Sequence, residues 1–207
     1  MVKLIGIGFL LAAIGIISGC STMSADECVT ADWRTIGYED GAKGREASAI
    51  SRHRKACAKH GVTANFDAYE EGRHEGLREF CRPTNGYRIG RKGATYDGVC
   101  PRDMEDEFLA AYEDGYEHFR LEKDVRNIER DIRRVDRDLD QAHVDLETLE
   151  IDLVADGIDS TERSRLLDET KYMTRVIGDL ERERDDLIYE LSVSEERLAR
   201  YLDSRSD

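Results

Sequence analysis

Proline is nearly absent: two residues in 207. Sheets of many strands need frequent turn punctuation and β-branched runs, so with so little proline and with heavy use of Glu, Asp, Arg and Leu the chain is expected to be all-α. Basic charge is also short, 31 Lys and Arg against 45 Asp and Glu for a formal charge of -14. Neutralising phosphates requires a basic face, and no Lys/Arg cluster supplies one, so no nucleic-acid partner is expected. Catalytic signatures are missing as well. There is no G-x-S-x-G, no H-E-x-x-H, and the glycine-rich stretch Gly86 to Gly98 lacks the Lys-Ser/Thr that completes a phosphate-cradling loop. Neighbouring carboxylates such as Glu39 and Asp40, or Glu70 and Glu71, diverge by about 100° on a helix and form no acid/base pair by themselves. The five histidines, His53, His60, His74, His118 and His143, fall at no spacing that demands a role. No enzymatic activity and no cofactor are expected, with a cell-wall hydrolase as the alternative.

What is present begins with an address. Lys3 is followed by the apolar run from Leu4 to Gly19, the layout of an export signal. Sixteen residues fall short of the roughly 20 that span a bilayer. The run ends in Ile17-Ser18-Gly19-Cys20, which resembles the bacterial lipobox, so residues 1–19 are expected to be a signal peptide, Cys20 the lipidated residue and 20–27 a linker. The alternative is an uncleaved anchor. Two or more acyl chains, palmitate among them, hold a protein stably because each buried CH₂ contributes about 0.8 kcal/mol. By resemblance to lipoprotein sorting patterns, Ser21 after the cysteine implies transfer to the outer membrane, with the body facing the periplasm or, alternatively, the cell surface.

Beyond Cys20, the remaining cysteines are Cys28, Cys57, Cys81 and Cys100, all in the first half. An even count in an oxidising compartment reads as two disulfides. Three connectivities are available. The favoured one is Cys28 with Cys57 and Cys81 with Cys100, because Cys57 closes a helical segment able to run back beside the start and Cys100 ends a short loop after Cys81. The alternative is a zinc site on Cys57 and His60 with His53 or His74, which lacks a second C-x-x-C pair.

Residues 28–119 hold eleven of the fifteen aromatics, so a small core belongs there. Helices are expected at about 30 to 43, 46 to 60 and 65 to 80, then a glycine-rich turn segment over 83–99, with Pro101 opening a new helix. Tyr-acid-acid-Gly returns at Tyr38, Tyr69 and Tyr112 with a spacing too irregular for a solenoid. Glycines fall four apart at Gly37 and Gly41, Gly72 and Gly76, and Gly86 and Gly90, which clears one face of a helix for close backbone approach. Since each interior helix glycine costs about 1 kcal/mol relative to Ala, tight packing against tyrosine rings is one reason for them. A candidate binding groove made of Trp33, Tyr38, Tyr69, Tyr87 and Tyr112, stacking on an envelope glycan such as peptidoglycan, is the other.

The series Asp32-Trp33, Gly37-Tyr38-Glu39-Asp40-Gly41, Ala56-Cys57, Tyr69-x-x-Gly72, Phe80-Cys81, Asn85-Gly86-Tyr87, Val99-Cys100-Pro101 and Phe108-x-x-x-Tyr112-x-x-Gly115 resembles the bacterial lipoprotein family known as domain of unknown function 2799, over roughly residues 28 to 120. The resemblance implies a secreted, lipid-anchored, cysteine-containing envelope domain and carries over no catalytic residue.

Residues 120–207 read differently. From Leu121 to Leu153 ten small or apolar residues follow a 4-3 spacing without a break, and the phase resumes from Leu166 to Tyr201 with Thr170, Arg184 and Ser194 among eleven positions. Between them Gly157 ends one helix, and Asp159 with Glu162 resembles a capping box opening the next. The matched arms, each about 50 Å long, predict an antiparallel coiled-coil hairpin, with a parallel homodimer as the alternative. Arg184 in the seam is expected to reach Asp131 or Asp138. Residues 121–207 carry 15 basic and 26 acidic side chains, so the acid excess lies in the arms. They suit either a solvated coiled coil or a helical face offered to an envelope protein partner that is basic.

Overall fold

A computed structural model describes residues 23–205. The described residues are all-α, as expected: α1 is Ala25–Val29, α2 Trp33–Ala42, α3 Ile50–Ala58 after a single 3₁₀ turn Ala47–Ala49, α4 Phe66–Phe80, α5 Pro83–Arg91, α6 Arg102–Leu153 and α7 Ser160–Asp203. Among the described residues no helix is long and apolar enough to cross a membrane. The expected signal segment and Cys20 lie outside the described residues.

Two compact units divide between Phe80 and Cys81. Residues 119 and 120, where the sequence passes from the aromatic pattern to the seam pattern, both lie within the 52-residue helix α6, with no helix-breaking residue between the two patterns. The segment expected as a turn over 83–99 is helical in its first nine residues, Pro83–Arg91. Its glycines are a packing face rather than punctuation, and Pro83 sits in the first turn, where its missing N–H costs nothing.

Each unit contains one copy of the same helix pair. In the first, α2 packs on α4; in the second, α5 packs on α6. The leading helices share Gly-Tyr-x-x-Gly-x-x-Gly, as Gly37-Tyr38…Gly41…Gly44 and Gly86-Tyr87…Gly90…Gly93. Their partner helices answer with Gly76 and Gly115, where an added Cβ would stand 2.1 and 2.2 Å from the carbonyl oxygens of Tyr38 and Tyr87. Gly44 and Gly93 both adopt φ +67°, which L side chains avoid, and both rest on a phenylalanine ring, Phe80 or Phe119. Backbones thus touch where side chains normally intervene, and each unit contains one disulfide. Cys28–Cys57 ties α1 to α3 with sulfurs 2.02 Å apart, and Cys81–Cys100 ties the segment before α5 to the segment before α6 at 2.11 Å. The favoured pairing is the one present. Loops of this size contribute about 3 kcal/mol each in the chain-entropy model.

In the second unit α6 and α7 form an antiparallel hairpin within one chain. Val135, Leu139, Ala142 and Ile177 are buried along its seam, with Leu146, Met173, Leu180 and Leu187 packed against them. Asp159 caps α7 by accepting from the backbone N–H groups of Thr161 and Glu162 at 2.8 and 2.9 Å. Glu162 does not return the bond, since its carboxylate is held by Arg165. Arg184 departs from expectation: it lies 3.5 Å from Asp185, its own neighbour, while its buried Nε has no hydrogen-bond partner. Asp131 and Asp138 are taken by Arg134 at 3.9 and 3.8 Å, one helical turn away.

Candidate functional site

The aromatic groove expected from the sequence does not form as a unit. Trp33 and Tyr69 are core residues of the first unit, packed with Cys28, Ile50 and Cys57, and Tyr69 is 0% exposed. Their rings are therefore covered where a sugar would stack. Tyr38 is exposed on the same unit, whereas Tyr87 and Tyr112 belong to the other. Tyr87 faces His118, and the Tyr112 hydroxyl donates to the Ala94 carbonyl at 3.0 Å. Both of these last phenols are held by the fold around them.

The sequence reading missed Asp40. It follows the exposed Glu39 on α2, and nothing in its sequence neighbourhood distinguishes the two carboxylates, yet Asp40 is only 3% exposed. Its carboxylate accepts from the Tyr69 hydroxyl at 2.8 Å and from Arg45 Nη1 at 2.9 Å, and lies 3.0 Å from His53 Nε2. Burial, and then the bond to Asp40, pushes the Tyr69 phenol well above its ordinary pKa. A buried carboxylate persists only when so satisfied. An open cavity of about 360 Å³ lies over the cluster, lined by Glu27 and Glu39 as well as Asp40 and by Lys43, Arg45 and His53, with Met23 and Ile36 as its apolar part.

Three carboxylates face two permanent cations and an imidazole there, so neither an anion nor a metal ion is preferred. An Asp–His pair of this kind orients an imidazole for proton transfer, but the described lining residues supply no hydroxyl or thiol nucleophile. The second unit holds the corresponding positions without the cluster. Counting from the shared glycines, Ile89 takes the place of Asp40 and Phe108 that of Tyr69. The helix pair thus packs with or without the polar centre. Asp40→Ala is expected to cost about 2–3 kcal/mol by stranding Tyr69, His53 and Arg45. Asp40→Ile combined with Tyr69→Phe, which copies the second unit, should recover most of that loss in chemical denaturation.

A second buried polar group is His118, on α6. Its Nδ1 lies 2.8 Å from the Tyr87 hydroxyl and its Nε2 3.4 Å from Glu122. The ring packs on Tyr201 near the end of α7 at 5.1 Å between centroids. The Tyr201 hydroxyl sits 2.8 Å from Asp114 Oδ1, Arg205 pairs with Asp114, and its guanidinium lies 4.7 Å over Tyr87. These contacts clasp the end of α7 onto the α5–α6 pair. Burial, and then the positive charge of Arg91, lowers the His118 pKa from its ordinary value. The folded state therefore favours neutral imidazole, and its contribution is present above the unfolded pKa of about 6.5 and lost as pH falls below it. Thermal melts from pH 8 to 5 should show the second unit weakening below about pH 6.5, with the slope reduced in His118→Gln.

Residues 32–117 match the model of the family described as Protein of unknown function (DUF2799). That bears out the resemblance drawn from the cysteine, glycine and tyrosine motifs. The DUF2799 match opens at Asp32, whose side chain caps α2 through the backbone N–H groups of Arg34 and Thr35, and closes two residues past Gly115. It thus takes in both glycine-packed helix pairs and both cavity-facing partners Asp40 and His53, and it stops before the hairpin seam begins. No curated protein and no solved structure matches the chain.

Proposed function

We propose that the chain is an outer-membrane-anchored periplasmic lipoprotein with a structural or protein-interaction role in the cell envelope, its hairpin serving as the arm that meets partners. The observation that carries this reading is the continuity of α6, a single helix from Arg102 in the disulfide-closed, glycine-packed pair to Leu153 at the far end of the hairpin. A contact made along such an arm is held in fixed geometry to the α5–α6 base. The lipobox-like Ile17-Ser18-Gly19-Cys20 supports membrane attachment, and two disulfides support an oxidising compartment. The membrane lipid is engaged through acylated Cys20, and the proposed role is not catalytic.

Labelling cells with an alkyne fatty acid should mark the protein. Cys20→Ser should abolish the label and leave the precursor at full length. A processed but unlabelled product would sink the lipoprotein reading.

A further inference from the structure

The outer face of α6, opposite its seam with α7, changes character at its middle. Its first half presents Lys123, Arg126, Arg130, Arg133 and Arg137, all exposed and at helical 3-4 spacing, a local run of cations that the interleaved Asp and Glu conceal in the sequence. A shallow depression of about 450 Å³, lined by Phe119, Asn127, Glu129 and four of these cations, runs along it. The same stripe continues through Asp140, Val144, Glu147, Ile151 and Val154. Here Val144, Ile151 and Val154 are 56%, 61% and 77% exposed. Residues 138–162 hold nine Asp and Glu and no Lys or Arg. Single exposed aliphatic residues are ordinary, and here three fall on one stripe of α6. The outer face of α7 shows no such division, with Asp168, Lys171, Arg175, Arg182, Asp185 and Glu196 mixed along it.

We infer that a second copy of this chain docks on this face antiparallel, outer stripe of α6 against outer stripe of α6. The inference rests on the reading of the hairpin as an interaction arm. Aligning two stripes about a twofold axis beside Asp138 and Leu139 sets Arg137 against Asp140, Arg133 against Val144, Arg130 against Glu147 and Arg126 against Ile151 of the second copy. Symmetry repeats every pair. Cations meet acids at two levels, and at the other two the aliphatic stems of arginines lie over Val144 and Ile151. Arg126 and Arg133 at present hold exposed ion pairs one turn back, to Glu122 at 3.0 Å and Glu129 at 3.9 Å, which cost little to exchange. A parallel alignment would stack cation on cation and acid on acid, so charge selects the direction. The stripe from Lys123 to Val154 is about 47 Å long, at 1.5 Å per residue.

Two measurements on the full chain test this. Two differently tagged copies, one with Arg133→Cys and one with Val144→Cys, are co-expressed, and membranes are treated with a short bifunctional thiol reagent. The expected product links unlike copies; linkage of Arg133→Cys copies to each other, or no linked pair, overturns the inference. In the second, one copy carries Arg130→Glu and Arg137→Glu and the other Asp140→Lys and Glu147→Lys. Each alone should self-associate at least tenfold more weakly than the parent chain by sedimentation in detergent, and mixing the two should restore association. Weakening without recovery on mixing overturns it, provided circular dichroism shows each copy fully helical. None of these changes touches Cys20, so an acylated chain that stays monomeric defeats this inference alone, and an unacylated chain that still pairs defeats only the lipoprotein reading.

Discussion

Gly76→Ala is expected to destabilise the first unit by about 3 kcal/mol or more. A methyl group there would stand 2.1 Å from the Tyr38 carbonyl oxygen and 2.6 Å from the Ala42 backbone nitrogen, both backbone atoms in the facing helix α2. No rotamer change relieves such a contact, so α2 and α4 must separate, and the packing around Tyr69 and Trp33 separates with them. The same substitution at Gly178, in the middle of α7, should act in the opposite direction. The nearest atom there is the tip of the flexible Arg182 side chain at 3.7 Å, and alanine is better than glycine in a helix by about 0.5–1 kcal/mol. Chemical denaturation of the two variants therefore separates a glycine kept for close approach from one that is not. Equal effects would mean that α2 and α4 do not pack as described.

The second large effect is expected from Val135→Asp. Val135 is 0% exposed in the hairpin seam among Leu139, Ala142 and Ile177, so a carboxylate there would be set among aliphatic groups. Burying it unpaired costs about 3–5 kcal/mol, a large part of the arm's stability. The helical signal from the hairpin should fall at ordinary temperature while the first unit stays folded. Tyr189→Asp, at a residue 73% exposed on α7, should change stability by less than about 0.5 kcal/mol. A mild Val135→Asp would show that the seam is not dry.

Why these positions and not others were legible in the sequence follows from what each feature depends on. The seam residues from Leu121 to Leu153 repeat a local period, so their burial shows in the sequence directly. The disulfide pairing was readable because each bridge joins cysteines that are neighbours in the sequence, 29 and 19 residues apart. Gly86 and Gly90 were seen as a pair at helical spacing, yet their segment was read as turn because glycine serves both packing and punctuation. Only the facing glycine, Gly115, decides between the two. The internal repeat was hidden for a related reason: Tyr-acid-acid-Gly matches by eye at Tyr38, Tyr69 and Tyr112, whereas the equivalent residues in space are Tyr38 with Tyr87 and Tyr69 with Phe108. Asp40 could not be told from Glu39, because its burial is set by Tyr69, His53 and Arg45, which are 29, 13 and 5 residues away. The divided stripe on α6 was readable at any time from the charges at every third and fourth position, but only after the seam had fixed which face looks outward.

α6 and α7 pair within one chain to make a single arm on the disulfide-closed base. Arg134 and Glu183 meet across the hairpin at 3.2 Å, and both are half-exposed. Cysteines in place of these two, treated with a short bismaleimide at low protein concentration and weighed by mass spectrometry, give the most direct reading. A monomer carrying one bridged linker between positions 134 and 183 is expected. A product linked only between chains would contradict it.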